Sequence, residues 1–165
     1  MTYPRTIATF TAEGFTAIAR ELTPNGTCTV TADMDIDVDG SGNPHGDPYF
    51  QPDTTLHYQG KALDSDVDKF IVLPLPCLQR VKGIVLGCQA RVVNTRNGKF
   101  CDAVVGDVGP SRKIGEASRA VALVLDINPS PISGGVDEAV IRYSWQPGVA
   151  ALVDGRQYAL KPLHA

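Results

Sequence analysis

A chain of 165 residues, 43% of them hydrophobic, is long enough for one globular domain with a sizeable core, and 12 Pro beside 16 Gly favour short elements joined by turns. A formal net charge of −3 with no basic stripe argues against a nucleic-acid partner, and no apolar run approaches the roughly 20 residues of a membrane span. Cys28, Cys77, Cys88 and Cys101 are too dispersed for a CxxC metal or redox motif, which leaves both disulfides and buried free thiols open.

In chain order, the opening M-T-Y-P-R-T-I-A-T-F lacks the uninterrupted apolar core of a secretory signal, so localisation stays open. Residues 10–22 read as a helix: Phe15, Ile18, Ala19 and Leu22 recur at helical spacing, Thr11 is the N-cap candidate, and Pro24-Asn25-Gly26 stops it. The expected organisation is a single domain, with an N-terminal helical segment over 1–26 and a barrel over 27–165.

Thr27 to Asp39 alternates strictly. Cys28, Val30, Ala32, Met34, Ile36 and Val38 fall on one face of a strand, and Asp33, Asp35, Asp37 and Asp39 on the other. Four like charges on one face need compensation by water, a cation or a cationic substrate. From Asp35 the run imitates a calcium loop with Gly40 at position 6, but position 12 is Gly46 where a bidentate Glu is required. A solvated acidic face and an acidic binding wall are the other readings. The loop over 44–60 carries Tyr49, Phe50, His57 and Tyr58, which can stack on sugar rings or pack on the core. His45 and His57 read as ordinary loop histidines.

Phe70 to Leu75 reads as a strand ended by Pro74 and Pro76. A longer strand is expected over Gly83 to Val93, then a turn at Arg96-Asn97-Gly98 and a partner strand over Lys99 to Val105. Ala117 to Leu125 is a short helix or a buried strand. Asn128 to Gly135 is a structured loop, Val140 to Trp145 a strand, and Leu152 to Leu160 a closing hairpin about Asp154-Gly155. Many short strands without βα repetition predict a mainly β protein with minor helix, a closed or nearly closed barrel.

The stretch Val104 to Ser118, V-V-G-D-V-G-P-S-R-K-I-G-E-A-S, holds the strongest chemical signal. A buried strand runs into a glycine-punctuated turn region carrying Asp107 and Glu116. Glycines allow sharp turns and close approach to a ligand. Two carboxylates held apart across a scissile bond are what glycoside hydrolysis requires. A polar loop with two solvated acids is the plain alternative. No G-x-S-x-G elbow, P-loop or H-E-x-x-H is present.

Taken together, D-M-D-I-D-V-D-G (33–40), the L-D…F-I-V-L-P run (63–74), V-V-G-D-V-G-P (104–110), I-G-E-A-S (114–118) and N-P-S-P-I-S-G-G-V resemble the family 75 glycoside hydrolases, which are fungal and bacterial endo-chitosanases. The resemblance covers roughly residues 28–145. It implies Asp107 and Glu116 as the catalytic carboxylates of an inverting hydrolase. The D-V-G-P…I-G segment also resembles the psi-loop of double-psi β-barrels, which implies a six-stranded barrel of that kind. By analogy with double-psi enzymes, Asp107 is expected as acid and Glu116 as base, and the reverse assignment stays open. Asp35 and Asp37 would hold glucosamine ammonium groups, with Tyr49, Lys113 and Ser118 as further substrate contacts. No metal or other cofactor, no membrane and no nucleic acid is implied; the expected partner is a polysaccharide and the expected state a monomer. Two other readings stay open: an enzyme cleaving cell-wall glycan, in which Arg112 and Lys113 bind carboxylates of muramyl sugars, and a non-catalytic carbohydrate-binding barrel.

Overall fold

The computed structural model describes residues 1–12 and 14–163. In chain order the elements are β1 (Arg5–Ala12), β2 (Phe15–Glu21), β3 (Cys28–Asp37), β4 (His57–Tyr58), β5 (Lys61–Ala62), β6 (Phe70–Pro74), α1 (Leu75–Gln79), β7 (Cys88–Asn94), β8 (Phe100–Gly109), β9 (Glu116–Ser118), α2 (Arg119–Val124), β10 (Val136–Ala150), β11 (Leu152–Val153) and β12 (Arg156–Gln157). Six of these strands close a mixed barrel in the order β3-β10-β7-β8-β6-β9, with β9 returning to β3. Two of the pairings are parallel, β6 with β8 and β9 with β3; the other four are antiparallel. The protein is therefore mainly β, with very little helix. Neither helix is long or apolar enough to cross a membrane.

The alternation in β3 has the structural consequence read from it. Cys28, Val30, Ala32, Met34 and Ile36 are buried in the core, where Tyr143 and Trp145 of β10 join them. All four cysteines are buried and free. Burial pushes the Cys28, Cys77 and Cys88 thiols up to about 12 and Cys101 to about 11, which keeps them protonated and inert.

The expected N-terminal helix over 10–22 is corrected: this segment belongs to the antiparallel hairpin β1–β2, which extends the sheet beyond β3. Thr11, the expected N-cap, pairs with Thr16, and Ala12 with Phe15. The same residues satisfy two periods. Ala17 and Ala19 alternate inward, and Ala19 also matches the helical stripe, while Leu22 is left exposed. Gly14 at φ 89° makes the turn, and the β-branched Thr6, Ile7, Thr9, Thr11 and Thr16 favour strand. At the hairpin base Arg5 Nε donates to the buried Glu21 Oε1 at 3.2 Å.

The strand expected over Gly83 to Val93 begins only at Cys88, because Gly83 and Gly87 both take positive φ and turn the chain. Ala117 to Leu125 is strand and helix in succession, with β9 feeding α2.

One glycine sets the loop that overlies the carboxylates. Gly40 has φ 77°, its N–H donates to Gln51 O at 2.9 Å, and a Cβ there would collide with the Leu63 carbonyl and lie 3.0 Å from Thr54 Cγ2. Gly40→Ala is expected to lower stability by about 2–4 kcal/mol, read by urea denaturation. A loss under about 0.5 kcal/mol would mean that the loop relaxes freely.

Candidate functional site

Two rows of residues cross the wall formed by β8, β6, β9 and β3. In the first, Val105 pairs with Ile71, Ile71 with Ala117, and Ala117 with Ile36; all four sit in the core. In the second, Asp107 pairs with Val72, Val72 with Glu116, and Glu116 with Asp35. Neighbouring residues along a strand face opposite ways, so the second row lies on the outer face of the wall. The register shift between Ile71 and Val72 accommodates Gly106 and brings Asp107 into that row. A Cβ on Gly106 would crowd Phe70 and Leu63, so the chain passes there only as glycine.

Asp107 and Glu116 thus flank the same residue, Val72, on its two sides. Two interstrand steps of about 4.8 Å place their backbones about 10 Å apart at most, since the wall is curved. Asp107 is buried, and its Oδ1 accepts three hydrogen bonds: from Thr55 Oγ1 at 2.6 Å, Thr55 N at 3.0 Å and Val108 N at 3.0 Å. Oδ2 has no hydrogen-bond donor among the described residues, so it is the oxygen left for a ligand. Glu116 is half-buried. Its Oε1 lies 3.4 Å from Lys113 Nζ, and Oε2 lies against Gly109 at a distance that would crowd a side chain there. Burial raises the Glu116 pKa; Lys113 opposes this, and Asp35 and Asp39 add to it.

The acidic strand joins this row. Lys113 Nζ bridges Asp35 Oδ2 at 2.7 Å and Glu116. Asp37 is buried, so the fully solvated acidic face does not describe it, and its pKa is raised to about 8 by burial, with the charges of Asp39, Glu116 and Asp107 adding to the effect. Only the Asp39 N–H, donating to Asp37 Oδ1 at 2.7 Å, opposes it. At neutral pH Asp37 therefore carries its proton. Asp39 Oδ1 accepts from Gln51 N at 2.8 Å, and burial raises its pKa too. Asp37, Asp39 and Asp107 each offer an oxygen within 4.8 Å of the others. Three monodentate oxygens fall well short of the six to eight that calcium takes, and all three acids already accept backbone N–H groups. The loop from Asp35 to Gly46 is tied to Gln51 through Asp39 Oδ1 and the Gly40 N–H.

Tyr49 stands out in solvent, 83% exposed, on the loop clamped by Gln51. Tyr58 is a packing residue, its ring tilted against that of Tyr158 with Arg156 over it at 4.2 Å. His45 and His57 pair with Asp66 and Asp53 at 2.8 and 2.7 Å. Ser118, expected as a substrate contact, is committed to the fold. It is fully buried, donates to Asp68 O at 2.8 Å, accepts from Phe70 N at 3.2 Å and caps α2 through Val121 N, so it holds β9 in place. Gln51 and Thr55 carry no signal in the sequence, and Asp39 is named there only as part of the acidic face. Asp39 was visible as the last acid of the alternating run, whereas Thr55 reaches Asp107 only through the fold. Thr55→Val keeps the backbone donor and deletes the hydroxyl. If Asp107 acts on a ligand, the variant should lower kcat about tenfold with KM little changed, and steady-state kinetics would reveal a purely structural hydroxyl as an unchanged kcat.

Searches against models of protein families and against curated proteins found no match to this chain.

Proposed function

We propose that the protein is an endo-acting glycoside hydrolase that cleaves β-1,4 bonds between glucosamine units of chitosan with inversion, using Asp107 and Glu116. The observation that carries this reading is the Asp107–Val72–Glu116 row. Two carboxylates on one face, two strands apart with backbones about 10 Å apart at most, are compatible with the roughly 6.5–9.5 Å that leaves room for a water in an inverting pair. The two parallel strand pairs that build this wall are compatible with a double-psi-like arrangement. Asp37 and Asp39 beside the row supply polar contacts for amino sugars.

The surroundings favour Glu116 as proton donor and Asp107 as base, the reverse of the assignment the resemblance suggests. Burial holds the Glu116 proton towards working pH. Asp107 is anchored through Oδ1, which leaves Oδ2 to take a proton from a water attacking the anomeric carbon. As that water adds, the glycosidic C–O bond breaks and the leaving oxygen takes the Glu116 proton.

Lys113 inside the acidic wall, with Arg112 beside it, favours a second reading: cleavage of cell-wall glycan, in which these cations meet lactyl or peptide carboxylates. Release of reducing ends from chitosan and, in parallel, from purified peptidoglycan tests both. Activity on chitosan supports the first reading, and activity on peptidoglycan alone moves the assignment to the second. Silence on both with folded protein would overturn the hydrolase reading.

A further inference from the structure

Beyond the carboxylate row, on the side of Asp35 and Lys113, lies a cavity of about 240 Å³ between the β1–β2 hairpin and the segment over 110–115. Its size suits one sugar unit, because it falls below the roughly 300–1,000 Å³ of sites for larger ligands. Phe10 and Phe15 form an apolar wall, and Asp33, Asp35, Arg112 and Lys113 supply the polar groups. Asp35 and Lys113 belong both to this cavity and to the row that holds Glu116, so the two spaces are contiguous.

The charges in the cavity do not suit a free amine. The Asp35 carboxylate is already paired with Lys113 at 2.7 Å. Arg112 is exposed and has no salt bridge among the described residues. Asp33 Oδ1 is buried and makes no hydrogen bond, and burial together with Asp35 raises the Asp33 pKa to about 6; the two carboxylates of the cavity are matched by its two cations, which leaves no surplus negative charge for an ammonium. An acetamido group fits better. Its methyl can pack on the phenyl rings, its carbonyl oxygen accepts from Arg112 or Lys113, and its N–H donates to Asp33. Buried polar groups built to hydrogen-bond a substituent discriminate strongly against an analogue that lacks it.

We propose that this cavity is a subsite for an N-acetylated amino sugar, so that the protein acts on partly acetylated chains and positions them by one acetamido group at a fixed distance from the cleaved bond. The proposal rests on the glycan-hydrolase reading for its place in a reaction, but binding at the cavity can be measured without hydrolysis. The test is titration of the full chain with N-acetylglucosamine oligomers and, separately, with glucosamine oligomers of equal length, followed by amide NMR. The expected result is shifts at Phe10, Phe15 and Ile114 with the acetylated oligomers and at least tenfold weaker binding of the glucosamine series. Arg112→Ala, at an exposed position, should weaken the acetylated oligomers about fivefold or more; Phe15→Ala should do the same, with its fold checked by the same spectra. Equal binding of the two series, or absence of shifts at the cavity with either, would overturn the subsite. Binding at the cavity without release of reducing ends from any glycan would keep the subsite and sink the hydrolase reading. Cleavage with no fixed acetyl position among the products would do the reverse.

Discussion

Asp107→Asn and Glu116→Gln are each expected to lower kcat on the cleaved glycan by about 10²–10⁴-fold, the usual worth of a positioned acid or base. Both replacements keep side-chain size. Asn at 107 retains the oxygen that accepts from Thr55 and Val108, so the loop stays anchored while the group can no longer take a proton. Gln at 116 keeps a neutral acceptor for Lys113 but has no acidic proton to donate. The two losses can be told apart with an aryl glycoside whose leaving group needs no protonation. Glu116→Gln should recover most of its activity on that substrate, and Asp107→Asn should not. Recovery in Asp107→Asn alone would exchange the two roles, and full activity of either variant on the polymer would remove that residue from the chemistry.

The second large effect is on stability. Asp37 is buried among Asp39, Glu116 and Asp107, and its pKa rises from 3.8 to about 8 in the folded chain. Folding therefore favours its protonated form. The contribution of this group to stability is fully present below about pH 4 and declines as pH rises towards 8, because the unfolded chain releases the proton first. Asp37→Asn removes the ionisation and keeps an oxygen for the Asp39 N–H. The variant should be more stable than the parent at pH 8 by on the order of 3–5 kcal/mol, at about 1.4 kcal/mol per pKa unit, with little gain near pH 4. Urea denaturation at the two pH values measures this. A variant less stable at pH 8 would show that the Asp37 carboxylate is stabilised by a partner. Such a stability cost of the native acid is what a site that keeps like charges together for binding should carry.

Lys113 has a different standing. It neutralises part of the acidic wall and links Asp35 to Glu116, so its charge tempers the proton affinity of Glu116 as well as lining the neighbouring cavity. One residue thus couples the proposed proton donor to the space where a second sugar is proposed to bind.

Much of the architecture was written in local pattern. Strict alternation from Cys28 to Ile36 marked a strand with one buried face, and prolines and glycines placed most of the turns. An apolar run into G-D-V-G-P marked a strand that carries an acid, Asp107, near its end. These features depend on neighbours within a few residues, which sequence carries directly. The helix expected over 10–22 failed on the same ground: the apolar residues there fit periods of 3.6 and of 2, and the hairpin with its pairing to β3 is a contact that the helical period does not carry. The approach of Asp107, Glu116, Asp35 and Asp37 depends on which strands pair and in what register, and Val72, which sits between the two principal acids, comes from a strand with no acid of its own. The Thr55 hydroxyl on Asp107, the burial of Ser118 and the rise of the Asp37 pKa follow from that pairing. The sequence by itself determined which residues could serve as strand, turn and acid. Tertiary structure alone decided which acids meet, because barrel closure is a long-range pairing and desolvation exists only once the wall is formed.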